Sequence, residues 1–120
     1  MQDKKTTGVA IYCRVAHKDV FCIEQQIQTM RCYAKENGYA SYEVYADNGF
    51  NGLSDDRPAL IKLSEDIRVG RIQTILVFDA SRLFRDCAML VDWHEGMDEY
   101  DVSISTIYDK DRFWFLSLFR

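Results

Sequence analysis

Four arginines, Arg14, Arg57, Arg82 and Arg85, are the residues of this chain whose type and placement point to chemistry. A guanidinium is a planar fork that donates two hydrogen bonds to two oxygens, so a cluster of them is a receptor for phosphate. Arg82 and Arg85 stand three apart and face the same way on a helical turn. In phosphoryl transfer such a cluster also neutralises the charge that builds in the transition state. That reaction needs a nucleophile. The place to look is just past Gly8-Val9-Ala10-Ile11-Tyr12-Cys13-Arg14-Val15, and the residue there is Ala16. The competing account of the arginines is surface ion pairing with Asp19, Asp47, Asp79 and Asp86.

The elements that must position these residues follow from hydrophobic patterning. Val9–Val15 is a near-continuous apolar run with β-branched and aromatic members, which suits a strand covered on both faces. After His17-Lys18-Asp19, apolar residues Ile23, Ile27, Met30 and Ala34 recur at helical spacing, with Glu24, Gln28, Arg31 and Lys35 opposite. Asn37-Gly38 closes that helix. Tyr42–Ala46 alternates as a second strand and leads into a loop of turn formers from Asp47 to Asp56. Arg57-Pro58 opens a second helix, with Pro58 in the first turn where its missing N–H is harmless. Leu60, Leu63 and Ile67 form its buried stripe, and Gly70 ends it. Thr74–Phe78 is a third buried strand, followed by the polar segment Ser81–Asp86. A helix packing through Leu90, Trp93, His94 and Met97 precedes a fourth strand, Val102–Tyr108.

Strands alternating with helices at this spacing give βαβ units with right-handed crossovers. The predicted fold is α/β: a three-layer sandwich with a central, mainly parallel sheet of four to five strands flanked by helices. In such sheets functional groups collect at the carboxyl ends of the strands. Arg14–His17, Asp47–Asn51 and Asp79–Arg85 are therefore expected on one rim, with Gln26 close by near the start of the first helix.

Composition narrows the class. The chain has 120 residues, 48% hydrophobic and 28% charged, which fits one globular domain. The net charge of −4 has the wrong sign for a domain that binds nucleic acid by itself. Any DNA binding must come from local clustering, a partner or a further segment. The aromatic run Phe113–Phe119 is far too short to span a membrane, and the polar start Gln2–Thr7 is no signal peptide, so a cytoplasmic location is expected. Cys13, Cys22, Cys32 and Cys87 form no Cys-x-x-Cys pair and read as reduced thiols, and with His17 and His94 apart from any such pair no zinc site is expected.

Other chemistries find little support. No Gly-x-Gly-x-x-Gly or Gly-Lys-Ser/Thr phosphate loop is present. A phosphorylatable receiver would want acidic residues after the first strand, where this chain has Arg14-Val15-Ala16, and only Asp79 favours it. His94 reads as a helix-face residue. Cys13 is a poor substitute nucleophile, because strand alternation points it away from the face of position 16.

Five segments in order, Tyr12-Cys13-Arg14-Val15, Ile23-Glu24-Gln25-Gln26-Ile27, Asp47-Asn48-Gly49-Phe50-Asn51-Gly52, Arg57-Pro58-Ala59-Leu60 and Arg82-Leu83-Phe84-Arg85, resemble the N-terminal catalytic domain of serine site-specific recombinases. This is the resolvase/invertase family, and the likeness is closest to its large, transposon- and phage-type members. The resemblance covers about residues 8–108. It implies a domain that cuts and rejoins DNA with no metal or nucleotide cofactor. A serine attacks the scissile phosphate to form a phosphoseryl link, arginines hold the phosphate, and a tetramer exchanges strands. Carried over, Arg14, Arg82 and Arg85 are catalytic positions, with Arg57, Gln26 and Asn51 as phosphate-binding positions.

The departures bear on activity. Where the family has Tyr-x-Arg-Val-Ser, this chain has Ala16. Ser81 stands at the position of the family's aspartate, Phe78-Asp79 replaces its lysine, and Asn51-Gly52 replaces its Ser-Gly. The expectation is a catalytic-like domain for DNA strand exchange that is inactive as written. Restoring serine at 16 alone is expected not to restore cleavage. The alternatives are a non-catalytic module pairing with an intact recombinase, or a remnant with no selected role. Expected partners are DNA, weakly or not at all for this chain alone, and a homo-oligomer or hetero-assembly with an intact recombinase; none is a membrane. Residues 1–7 are expected to be a flexible leader, 8–110 the domain, and 111–120 the truncated start of the family's C-terminal dimerisation helix.

Overall fold

The computed structural model describes residues 8–52, 56–84 and 87–107. The expected leader, the expected helix start at 111–120, Arg85 and the end of the predicted fourth strand at Tyr108 lie outside them.

Four parallel strands form one sheet: β1 (Val9–Val15), β2 (Glu43–Asn48), β3 (Thr74–Val77) and β4 (Ser103–Thr106), in the order β2-β1-β3-β4. Helices α1 (Val20–Glu36), α2 (Pro58–Arg68), the single turn α3 (Ala80–Leu83) and α4 (Cys87–Met97) connect them. This is the expected three-layer α/β sandwich, with four strands, all parallel.

β1 is central, and its alternation sorts the core into two halves. Ala10 and Tyr12 pack with Leu60, Leu63 and Ile67 of α2 and Leu90 and Met97 of α4. Val9, Ile11 and Cys13 pack with Ile23, Met30 and Ala34 of α1. The i, i+7, i+11 spacing in α1 thus meets one face of the sheet and α2 with α4 the other. His94 is buried within α4, in keeping with a structural residue.

Boundaries differ from the sequence expectation: β2 starts at Glu43, and β3 ends at Val77, one residue before Phe78. β2 runs on to Asn48 because its pairing with β1 continues through Arg14↔Asp47 and Val15↔Asn48, so Asp47 lies in the sheet and not in the loop. The segment after β3 coils into α3, where Asp79 accepts hydrogen bonds from the Ser81 N–H (3.0 Å) and the Ser81 hydroxyl (2.5 Å). β4 is four residues long. Among the described residues no helix is long and apolar enough to cross a membrane, and no group of three or more metal-ligating side chains occurs.

Candidate functional site

The carboxyl ends of β1, β2 and β3 form one rim, and Arg14 ties its loops together. Arg14 is 2% exposed. Its Nε donates to the Arg82 carbonyl (3.1 Å), Nη1 to the Phe50 carbonyl (2.9 Å) and Nη2 to the Ser81 carbonyl (2.5 Å). One guanidinium therefore joins the end of β1 to the loop after β2 and to α3. Hydrogen bonds from a charged donor contribute roughly 1.5–3 kcal/mol each, so this fork stabilises the rim substantially.

Arg57 does parallel work from the start of α2. It is fully buried, with its guanidinium 4.7 Å from the Phe84 ring centroid and 5.7 Å from that of Tyr12. Nη1 donates to the Arg82 carbonyl (3.0 Å) and the Tyr12 hydroxyl (3.3 Å), and Nη2 to the Leu83 carbonyl. The carbonyls of Ser81, Arg82 and Leu83 sit at the end of α3. Two arginines from different elements hold them.

The acidic residues cap helices. Asp19 is the N-cap of α1 and accepts from the Cys22 N–H (3.0 Å). Asp79 caps α3. Arg57, the N-cap residue of α2, makes no side-chain cap, and Asp47 supplies the acceptor from β2. The Asp47 carboxylate takes the N–H groups of Ala59 (2.8 Å) and Leu60 (3.1 Å) and the Tyr12 hydroxyl (2.6 Å). A carboxylate at a helix N-terminus meets both the orphan N–H groups and the positive end of the dipole. Burial, and then the bond to Asp47, push the Tyr12 phenol above its usual range against the pull of Arg57.

Gln26 reaches from α1 to the last stretch of β1. Its Oε1 accepts from the Arg14 N–H (3.0 Å) and its Nε2 donates to the Arg14 carbonyl (3.2 Å). β3 stops pairing with β1 at Tyr12↔Val77, two residues earlier. The side-chain amide thus occupies the rung of the ladder that β3 leaves vacant.

Ala16 follows directly, exposed on the rim. Gly49, at φ +91°, turns the chain after β2 so that the Gly49 and Phe50 N–H groups reach the Val15 carbonyl (2.9 and 3.1 Å). A Cβ at Gly49 would sit 3.1 Å from the Lys18 Cβ. Asn51 is exposed in the same loop. Cys13 is sealed in the core, and burial pushes its thiol up to about 12, so it remains a neutral thiol.

Arg82 differs from its neighbours. It is half-buried, its guanidinium lies 5.5 Å from the Phe78 ring centroid, and its Nε has no hydrogen-bond partner. It borders a cleft of about 390 Å³ between α1 and the ends of β1 and β3. The structure therefore gathers Arg14, Ala16, Gln26, Asn51, Arg57, Ser81 and Arg82 at one end of the sheet. Arg14, Arg57 and Gln26 hold backbone there, and Arg82 faces the cleft. Sequence reasoning placed Asp47 on the rim but gave neither Asp47 nor Tyr12 a role in this assembly. One local signal was available: Arg57 cannot cap α2, so its first N–H groups needed an acceptor from elsewhere.

Comparison with known proteins identifies the family and the fold. The family model for the resolvase N-terminal domain matches residues 9–113. A DNA recombinase homologue from Bacillus subtilis (strain 168) is 36% identical over 81 residues, covering 64% of this chain. The chain spans 16% of that relative's length. The C-terminal catalytic domain of an IS607-like serine recombinase superposes with a TM-score of 0.75 at 27% identity, over 86% of this chain and 69% of the other. The N-terminal catalytic domain of TP901-1 integrase gives 0.74 at 26% identity, over 92% and 90%. A resolvase family site-specific recombinase from Streptococcus pneumoniae gives 0.72 at 27%, over 92% and 83%. With the family model covering most of its length, the chain belongs to the resolvase N-terminal domain family.

Proposed function

We propose that this chain is the catalytic-like domain of a DNA site-specific recombinase, built for DNA strand exchange and inactive in cleavage as written. The observation that carries the reading is Ala16, exposed on the rim at the position where the family's serine would stand. A methyl group has no lone pair with which to attack phosphorus. Neither nearby candidate replaces it: Cys13 is neutral and sealed in the core, and the Ser81 hydroxyl is hydrogen-bonded to Asp79 within the α3 cap. Residues 8–110 constitute the domain in this reading.

The arginine positions divide between two roles. Arg14 and Arg57 maintain the rim, while Arg82, with Arg85 three residues on, meets DNA phosphate. The test is incubation with supercoiled DNA carrying recombination sites, followed by denaturing electrophoresis. No covalent protein–DNA adduct is expected from the native chain, and an adduct would sink the reading. Ala16→Ser is expected to remain silent as well, because the guanidinium groups of Arg14 and Arg57 are held on backbone carbonyls.

A second reading, an interaction module that pairs with an intact recombinase, is favoured by Val20 and Phe21. They are 65% and 70% exposed at the start of α1, beside the rim. Apolar exposure of this kind marks contact surfaces when it is contiguous. Size-exclusion chromatography with light scattering separates the two, since a strict monomer at high concentration, alone and mixed with an intact recombinase, removes the second reading.

A further inference from the structure

Among the hollows of the described surface, one combines a cation, an aromatic ring and no carboxylate. The hollow at the amino end of the sheet contains Arg71, which is already paired with Glu43 at 3.0 Å and Asp66 at 3.6 Å. The hollow beside Trp93 is bordered by Asp92, which repels an anion. The cleft between α1 and the ends of β1 and β3 has Val15 and Phe78 as its apolar part, Arg82 as its cation, and Gln25 and Thr29 as polar groups along α1.

We propose that this cleft is a slot for a single unstacked nucleotide, its base against Val15, Phe78 and the Arg82 guanidinium and its phosphate on Arg82. The inference rests on the reading of Arg82 as a phosphate-binding residue and extends it to the base. Its volume of about 390 Å³ lies within the usual range for a small-ligand site and has room for one nucleotide. The Arg82 guanidinium lies 5.5 Å from the Phe78 ring centroid, and arginine planes and aromatic rings are the surfaces on which splayed bases stack. The Arg82 Nε has no acceptor, and a phosphate or base oxygen would supply one. Gln25 and Thr29 add donors and acceptors for base edges. The Cys22 thiol at the cleft is held neutral by its hydrogen bond to Asp19, and so adds no negative charge.

The test is calorimetric and NMR titration of the full chain with three probes: deoxyadenosine 5′-monophosphate, deoxyribose 5-phosphate and inorganic phosphate. Duplex DNA binding is measured alongside. Stacking of one base is worth about fivefold or more in affinity, so the nucleotide should bind at least that much tighter than the abasic sugar phosphate. Its amide shifts should centre on Val15, Thr29 and Phe78. Phe78→Leu should lose the preference for the base. Thr29→Phe, which fills the slot from an exposed position on α1, should lose it as well while inorganic phosphate still binds. Equal affinity for nucleotide and sugar phosphate, or a preference that survives Thr29→Phe, overturns the slot and leaves the phosphate reading standing. If phosphate and duplex DNA both fail to bind, the slot and the phosphate role of Arg82 fall together.

Discussion

Replacing Gln26 with methionine keeps the length and flexibility of the side chain and removes both of its hydrogen bonds to Arg14. Those bonds, at 3.0 and 3.2 Å, pair the backbone of a residue that is 2% exposed, so water has poor access to the groups left behind. At roughly 0.5–1.5 kcal/mol for each bond, the expected loss is about 1–3 kcal/mol. For a domain of this size that is a fall in Tm on the order of 4–12 °C. Urea denaturation followed by far-UV circular dichroism measures the free energy, and amide exchange locates it. The Arg14 N–H should lose protection, whereas the Ile11 and Tyr12 amides, farther inside the sheet, should exchange faster only by the factor that the global loss of stability sets. A residue acting solely on bound phosphate would behave otherwise. Its replacement would leave stability within about 0.5 kcal/mol and reduce affinity for phosphate. Unchanged stability with an unchanged Arg14 exchange rate would refute the backbone role of Gln26.

Asp47→Ala leaves two helix N–H groups and a buried phenol without their acceptor, and should cost about 3 kcal/mol or more in denaturant unfolding, whereas Asp47→Asn should cost less. In native protein a thiol reagent should label Cys22 and Cys32, which are exposed, and reach Cys13 only on unfolding. The Cys13 thiol is raised to about 12 in the fold, so its contribution is complete below the unfolded thiol pKa of about 8.5. It is lost as pH climbs from there towards 12, and Cys13→Ala should flatten that alkaline limb of the stability curve. The Asp66 carboxyl is held below its usual value, first by the Tyr45 hydroxyl (2.5 Å) and then by Lys62 and Arg71. Its contribution is therefore present above the unfolded value of about 3.9 and lost as pH falls through the lower folded one. Asp66→Asn should remove that acid dependence.

The layers of this fold were legible because they depend on periodicity. Apolar runs at Val9–Val15 and Thr74–Phe78 had to be strands covered on both faces, and the spacing from Ile23 to Ala34 had to be a helix lying on one of them. The rim location of the arginines followed from parallel topology alone. What those arginines hold did not follow, since the partners of Arg14 lie 36, 67 and 68 residues away and are carbonyls, which every residue carries. Asp47 was misplaced for a related reason. Hydrophobic alternation registers a polar residue as the end of a strand, and here the polar residue continues the strand in order to reach the N-terminus of α2. At Asp19, Asp47 and Asp79 caps stand in place of the competing ion pairs, because helix ends offer a carboxylate fixed donors at short range, with no long side chain to immobilise.

These assignments change what the arginine motif says about activity. Arg14 and Arg57 pull the carbonyl end of α3 onto β1 and α2, and α3 in turn carries Arg82 to the cleft. Removing either guanidinium would leave carbonyls of Ser81, Arg82 or Leu83 with fewer donors and loosen the turn, whether or not DNA is ever cut. Two of the residues that mark the family are therefore needed to build the rim, and their presence is no measure of catalysis. Position 16 is different. Its side chain is exposed and takes no part in this scaffold, so serine and alanine are nearly equivalent for folding there and differ only in chemistry. A chain with arginines at 14 and 57 and alanine at 16 is thus physically consistent: the backbone-holding guanidiniums build the rim whichever of the two residues stands at 16.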